Sequence, residues 1–317
     1  MAKFNIASYM AYLKMSHNDH FLVEGKFDKL SIQYLLNNNS LMYSRNLDIE
    51  VAEDFIEFDD IQGNREKVRI ICSYAMKNKN PGKFLGLIDR EFDDFLMDQN
   101  CLMNNYEDRF YSQNLLSTHG HSIENYFFEN DILLYAFRAL TTNPVAIKSL
   151  NKFKKVYQSA IYLAGAITIS SFKNIQYLSR IIASLEYSHF LLRADEVIFE
   201  KHLFKKALIK KGITTMDAQK IIDYISESLA YVKNSDLDSI RWFCHGHLSI
   251  RIMRFIYARC IHDSCDQDNF RIMQRDFLRT REEVFCTTLA NYWASKAKED
   301  IYIYPREIFL YFNISLN

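Results

Sequence analysis

The sequence predicts an α/β fold, with a parallel sheet flanked by helices in residues 1–130 and a mostly α-helical domain in residues 131–317. Three observations predict it. Short apolar runs alternate with helix-length amphipathic segments in the first third, which is the pattern of βαβ units. Segments with 3.6-residue apolar spacing fill the remainder, and Asp217 to Tyr231 keeps that spacing well. Glycine and proline are scarce, at 8 and 3 among 317 residues, which favours helix over a turn-rich all-β fold.

The elements follow in order. His20–Glu24 (HFLVE) is a short apolar run that stops at Gly25. A helical pattern follows, with Leu30, Ile32, Tyr34, Leu35 and Leu36 as apolar positions, and the run Asn37-Asn38-Asn39-Ser40 is expected to break it. Ile49–Phe58 is strand-like though rich in acids. Gly63 and Asn64 lead into a second helix over Arg65–Lys77, with Val68, Ile71, Cys72 and Ala75 on one stripe. Lys83–Asp89 (KFLGLID) is another apolar run, and Leu115–His119 a further strand candidate. From Asn130 the pattern turns helical: Ile132–Leu140, Ala146–Ala164, Ile175–Glu186, Asp195–Lys211, Thr215–Lys233, Arg241–Ile261 and Arg271–Lys298.

Bulk properties narrow the function. Lysine plus arginine equals aspartate plus glutamate at 39 each, so the formal net charge is zero. That balance argues against a protein that coats nucleic acid nonspecifically, though not against a local basic groove. Met1–Leu13 has no long apolar stretch and no cleavage-like site, so no secretory signal is expected. No apolar run approaches the ~18 residues of a membrane span, so no membrane partner is expected. The cysteines at 72, 101, 244, 260, 265 and 286 are scattered and read as reduced thiols, which implies a cytoplasmic protein.

The chemistry gathers at strand ends. In a parallel α/β sheet, ligands bind beyond the carboxyl ends of the strands. HFLVE ends in Glu24 and KFLGLID in Asp89, so two acids distant in sequence should meet on one edge. Asp28 follows Glu24 by one helical turn, and Glu91, Asp93 and Asp94 follow Asp89. Carboxylate oxygens are hard ligands suited to Mg²⁺ or Mn²⁺. Such ions polarise a phosphodiester, lower the pKa of bound water and steady a leaving oxygen. An acid beside them can serve as general acid or base.

These residues carry a resemblance. Val23-Glu24-Gly25 with Asp28, then Ile88-Asp89-Arg90-Glu91, resembles the TOPRIM signature of topoisomerases, primases and overcoming-lysogenization-defect nucleases. The resemblance implies Glu24 as the acid/base residue and Asp89 and Glu91 as metal holders. Glu91 stands where that signature has an aspartate, and Asp93 is the alternative ligand. Phe21–Asp28, Gly86–Asp94 and the run His121 to Tyr126, with a helical tail holding His245-Gly246-His247, are similar to a standalone TOPRIM family that includes the AriB-type effector nucleases of PARIS antiphage systems. That resemblance covers residues 20–126 well and the rest thinly. It implies a toxic effector held by an ABC-type ATPase, released on sensing a phage protein, dimeric when active and cutting host transfer RNA. A DNA endonuclease and a non-catalytic subunit of an ATPase complex are the alternatives.

Other candidates carry two readings each. Lys26 offers a phosphate contact or is a surface lysine. His121 and Glu124 add a phosphate contact and an acid to the same edge, or belong to a helix start with Ser122 as N-cap. His245 and His247 flank a glycine that permits close approach of a substrate, or are satisfied core histidines. Lys201, Lys205, Lys206, Lys210 and Lys211 lie largely on one helix face, as an RNA contact or a solvated face, with Lys148, Lys152, Lys154 and Lys155 read likewise. Cys260, His262 and Cys265 match no closed zinc motif.

Overall fold

In the computed structural model the described residues are 5–39, 46–55, 63–77, 82–98, 100–106, 110–141, 145–265, 270–297 and 305–314. They form two compact units: one lies within 1–90, 106–126 and 290–317, the other within 91–105 and 127–289. In chain order the elements begin with α1 (Ile6–Met15), β1 (Asp19–Val23), α2 (Lys26–Asn39), β2 (Leu47–Val51), α3 (Asn64–Lys77) and β3 (Phe84–Ile88). Next come β4 (Phe95–Met97), β5 (Leu102–Asn104), β6 (Phe110–Ser112) and β7 (Leu115–Ser117). Then follow α4 (Asn130–Leu140), α5 (Ala146–Lys173), α6 (Leu178–Ser184), β8 (Phe190–Arg193), β9 (Glu196–Phe199), α7 (Lys201–Lys210) and α8 (Thr215–Lys233). The last are α9 (Leu237–Phe243), α10 (Gly246–His262), α11 (Phe270–Arg279), α12 (Glu282–Lys296) and α13 (Arg306–Phe312).

The first unit is the α/β part. Its sheet runs β2-β1-β3-β7-β6, with β2, β1, β3 and β7 mutually parallel and β6 antiparallel at the edge. Both central strands, β1 and β3, are buried at every position, which is why they read as continuous apolar runs rather than alternating ones. The chain leaves β1 toward β2, then crosses back over β1 to β3. The strand order therefore reverses between β1 and β3. Right-handed crossovers in opposite directions send α2 and α3 to opposite faces.

One face carries the core of Tyr9, Leu13, Leu22, Val68, Ile71, Cys72, Phe84 and Ile88 beneath α1 and α3. Burying side chains of this size contributes about 1.5–3 kcal/mol each. Gly86 lets α3 sit close on β3: a Cβ there would stand 2.3 Å from Cys72 Sγ and 2.9 Å from Val68 Cγ1. On the other face Phe21 meets Phe312 of α13 edge-on, with ring centroids 5.8 Å apart.

The second unit is mostly helical. Its long α5 is buried continuously from Leu163 to Ser171 and packs against α8 and α10. Two antiparallel hairpins, β4–β5 and β8–β9, interrupt the helices. Tyr231 donates from its hydroxyl to the Cys101 carbonyl at 2.5 Å, and Leu102 N–H donates to Ser235 Oγ at 2.8 Å, tying the first hairpin to α8 and the turn after it.

The α/β class and the helical second part stand as the sequence predicts. Several boundaries do not. The helix after β1 runs through Asn37 to Asn39 instead of breaking there. The strand expected over Ile49–Phe58 ends at Val51, where Ala52–Asp54 winds into a 3-10 turn; residues 56–58 lie outside the described residues. The strand expected over Leu115–His119 ends at Ser117. The helix expected over Asp195–Lys211 opens as strand β9, because Val197 and Phe199 alternate into the core and Ala194 adopts φ 51 in the hairpin turn. Ile175–Glu186 divides into a 3-10 turn and α6. Arg241–Ile261 breaks at Cys244, where extended backbone lets His245 N–H donate to Thr168 Oγ1 at 3.1 Å. Arg271–Lys298 breaks at Thr280, whose carbonyl accepts from Arg254 Nη2. The helix expected over Ala146–Ala164 continues to Lys173.

Candidate active site

The carboxyl ends of adjacent parallel strands each deliver an acid to one edge of the sheet. Glu24 follows β1, Glu53 lies in the turn after β2, and Asp89 follows β3. Glu124 lies in the 3-10 turn Ile123–Phe127, a few residues beyond β7. Glu24 and Asp89 flank the point where the strand order reverses, which is where open α/β sheets hold ligands. The two segments touch: Asp89 N–H donates to Glu24 Oε1 at 2.7 Å. A bond this short fixes the Glu24 carboxyl group in one orientation.

Asp28 sits one turn into α2 and accepts from the Gly25 N–H at 2.8 Å through Oδ2. That is half of a capping box, with the third helical residue reaching back to the cap. Its environment goes further than capping requires. The residue keeps some exposed surface, but its carboxyl is enclosed, and its pKa is pushed up to about 8 by burial first and then by Glu124, with Glu24 and Glu53 adding to it. The Gly25 hydrogen bond opposes this rise and does not offset it. Asp28 is therefore within electrostatic reach of three other carboxyl groups. A hard cation beside Asp28 would offset both the burial of its charge and the repulsion from its neighbours. The donor set is all oxygen, which fits Mg²⁺ or Mn²⁺.

The scaffold around these acids is rigid. Arg90, next to Asp89, is fully buried. Its Nη1 donates to the His119 carbonyl at 2.9 Å and its guanidinium lies 4.3 Å from the centre of the Tyr106 ring. Its backbone N–H donates to Thr118 Oγ1 at 3.0 Å, joining the ends of β3 and β7. Arg90 thus supports the strand ends. Thr118 and its neighbours were not singled out by motif; their only sequence signal is their place just after a strand.

The other sequence candidates fall as follows. Lys26 Nζ pairs with Glu53 Oε2 at 3.3 Å, and its side chain is 74% exposed. His121 is buried beside Ser122, which stands at the cap of the turn Ile123–Phe127 as expected; its N–H donates to Asn125 Oδ1 at 2.8 Å, the third turn residue reaching back to the cap. Glu124 lies in the first turn of that 3-10 helix, as the helix-start reading has it, and is also buried and raises Asp28, as the acid reading has it. Glu91 and Asp93 lie in the turn over residues 91–94, which belongs to the second unit; Glu91 adopts φ 56, an uncommon backbone for a residue other than glycine. His245 and His247 also belong to the second unit, where His245 caps α10, His247 is exposed, and the rings lie 6.4 Å apart. Cys244 and Cys260 are buried, and burial pushes the Cys244 thiol up to about 12 and Cys260 higher still, so neither offers a thiolate near neutral pH.

A second group was not anticipated. His20, Asp48 and Glu50 bring one ligand atom each to within 4.8 Å of one another, an arrangement that could hold a metal ion. The signal lay in the parallel register, which sets His20 beside Asp48.

Among the described residues, no helix is long and apolar enough to cross a membrane. No family model and no curated protein matches this sequence.

Proposed function

We propose that the chain is a metal-dependent phosphodiesterase of the TOPRIM type that cuts RNA. Its substrate in this reading is host transfer RNA, and its role is that of a toxic effector in antiphage defence. An ABC-type ATPase holds it inactive, and a homodimer is the active form. The substrate, the partner and the dimer follow from the sequence resemblance. The site chemistry has support of its own. The single observation that carries it is the 2.7 Å bond between Asp89 N–H and Glu24 Oε1 at the reversal of strand order.

Glu24, Asp28, Asp89 and Glu124 would hold the metal, with Glu91 or Asp93 as the further ligand that the motif implies. When bound, a divalent ion would polarise the scissile phosphodiester and lower the pKa of a coordinated water. Glu24, oriented by the Asp89 backbone, is placed to take or return a proton. Asp28, held up to about 8, carries a proton near neutral pH and can release it as the surrounding charge is neutralised.

The test is sequencing of RNA from cells expressing the chain, with Glu24→Ala as control. Discrete new ends in a transfer RNA that vanish in the variant support the proposal. Cleavage that persists in Glu24→Ala overturns the site. Purified protein with Mg²⁺ or Mn²⁺ that cuts duplex DNA and spares RNA transfers the reading to a DNA endonuclease. No cleavage of either points to a regulatory subunit.

A further inference from the structure

Back from the acidic edge, β1 and β2 carry a different set of groups. His20 lies in β1, and Asp48 and Glu50 lie in β2. Parallel register aligns His20 with Asp48 and Leu22 with Glu50, so all three polar residues project to the face covered by α1. His20 Nδ1 lies 2.8 Å from Glu50 Oε1. We propose that His20, Asp48 and Glu50 bind one divalent transition-metal ion of the zinc type, joining β1 to β2 beneath α1.

The surrounding hydrogen bonds fit that role. His20 Nε2 lies 2.9 Å from Ser16 Oγ, so a proton on Nε2 leaves the Nδ1 lone pair facing the carboxylates. Histidines that ligate metals are oriented in this way by a partner on the other ring nitrogen. Asp48 Oδ2 accepts from the Tyr12 hydroxyl and from Asn18 Nδ2, each at 2.9 Å, which fixes that carboxylate as well.

Charge points the same way. The cluster brings two carboxyl groups, Asp48 and Glu50, to one imidazole. Glu50 Oε2 is buried, and the Glu50 carboxyl is met by the Tyr9 hydroxyl as well as by His20. A divalent ion would offset both charges. Three protein ligands leave one tetrahedral position for water. With metal–ligand distances of about 2.0–2.1 Å, ligand atoms sit about 3.3 Å apart. Admitting an ion thus widens the 2.8 Å His20–Glu50 contact by only about half an ångström. The imidazole nitrogen favours zinc over magnesium, which takes oxygen ligands. Asp48 also lines an open, amide-rich cleft of about 480 Å³ with Asn18, Gln33, Asn37 and Asn46.

This site uses none of the groups of the acidic edge. Glu24 lies four residues beyond His20, or about 13 Å at strand rise, and two beyond Leu22, the register partner of Glu50. The proposal does not depend on the nuclease reading, and its test reads binding rather than cleavage. Full-length protein stripped by a chelator is titrated with zinc chloride alone by calorimetry, with bound metal counted by mass spectrometry. One equivalent should bind to the native chain and to Glu24→Ala. Affinity should fall by about a hundredfold in His20→Asn and in Asp48→Asn. Zinc should raise the melting temperature of the native chain and leave that of Asp48→Asn unchanged. Cobalt(II) in place of zinc should give a visible absorption band that Asp48→Asn abolishes. His20 is buried, so His20→Asn counts only if its circular dichroism is native; the half-buried Asp48 decides otherwise. Zinc uptake equal in Asp48→Asn and the native chain overturns the proposal, as does a folded native chain that takes up no zinc.

Discussion

β1 and β2 have chemically different ends. At the carboxyl end burial, with Glu124, Glu24 and Glu53 adding to it, holds Asp28 up to about 8. Further back along the two strands His20 Nδ1 faces Glu50 directly, Tyr12 and Asn18 donate to Asp48, and Ser16 meets the other ring nitrogen of His20. The lesson concerns preorganisation. The groups further back are already held by neutral donors, so an ion there would mainly add stability. The carboxyl-end groups are held against their own charge, the condition under which carboxylates change protonation and bind hard cations. A site that does chemistry is expected at the strained end.

The largest expected effect follows from that contrast. Glu24→Ala removes the group placed for proton transfer and should lower RNA cleavage by about 10²–10⁴-fold. The melting temperature should stay within a few degrees of native. Asp48→Asn should leave cleavage unchanged. Single-turnover assays on the three proteins read this directly, and a comparable loss in Asp48→Asn would erase the functional distinction between the two ends.

Stability should respond next. Gly86 lies in β3 three residues before Asp89, and any Cβ there runs into Cys72 Sγ at 2.3 Å. Gly86→Ala should force α3 away from the sheet at a cost of about 1–3 kcal/mol. Calorimetry should show a fall in melting temperature of about 2–4 °C per kcal/mol. Adding Cys72→Ala removes the clashing atom and should recover part of the loss. No recovery would mean that Val68, 2.9 Å from the same point, sets the cost.

The contrast also shows what the sequence could reveal. Glu24 and Asp89 were legible because each closes a short apolar run, and the carboxyl-end rule needs only strand direction. Asp28 was visible as an acid but not as a perturbed one, because its shift comes first from burial and then from Glu124, 96 positions away. His20 was hidden inside the run HFLVE, where a buried histidine reads as one more strand residue, and Asp48 preceded the segment read as strand. The hairpins β4–β5 and β8–β9 were missed because strands of three or four residues are too short to establish a period. Ala194 at φ 51 marks the second turn without the usual Asn-Gly signal.

Acidity should separate the ends more gently. Asp28 has a folded pKa of about 8, above its ordinary carboxylate value, so the folded state binds the extra proton. Its stabilising contribution is complete below about pH 4 and is lost as pH rises through about 8. Metal-free protein should therefore lose up to ~1.4 kcal/mol per pH unit from this group between those limits. Asp28→Asn should flatten the slope and be the more stable protein at pH 8. Mg²⁺ should also flatten it. Denaturant titrations across the range check the sign, and stability that rises with pH over this window in the native chain but not in Asp28→Asn would refute the assignment.

The smallest effect is expected at Lys26. Its ammonium pairs with Glu53 at 3.3 Å across solvent, with the two side chains 74% and 40% exposed. Exposed pairs of this kind contribute about 0–1 kcal/mol and weaken further with salt. Lys26→Ala should change stability by less than that and leave kcat nearly unaltered, because Glu24 is oriented by the Asp89 backbone and not by Lys26. If Lys26 instead meets a substrate phosphate, KM should rise with kcat unchanged, and the rise should shrink as salt is added. A salt series on Lys26→Ala against the native chain separates the two. A large fall in kcat at every salt concentration would instead make Lys26 part of the chemistry at the acidic edge.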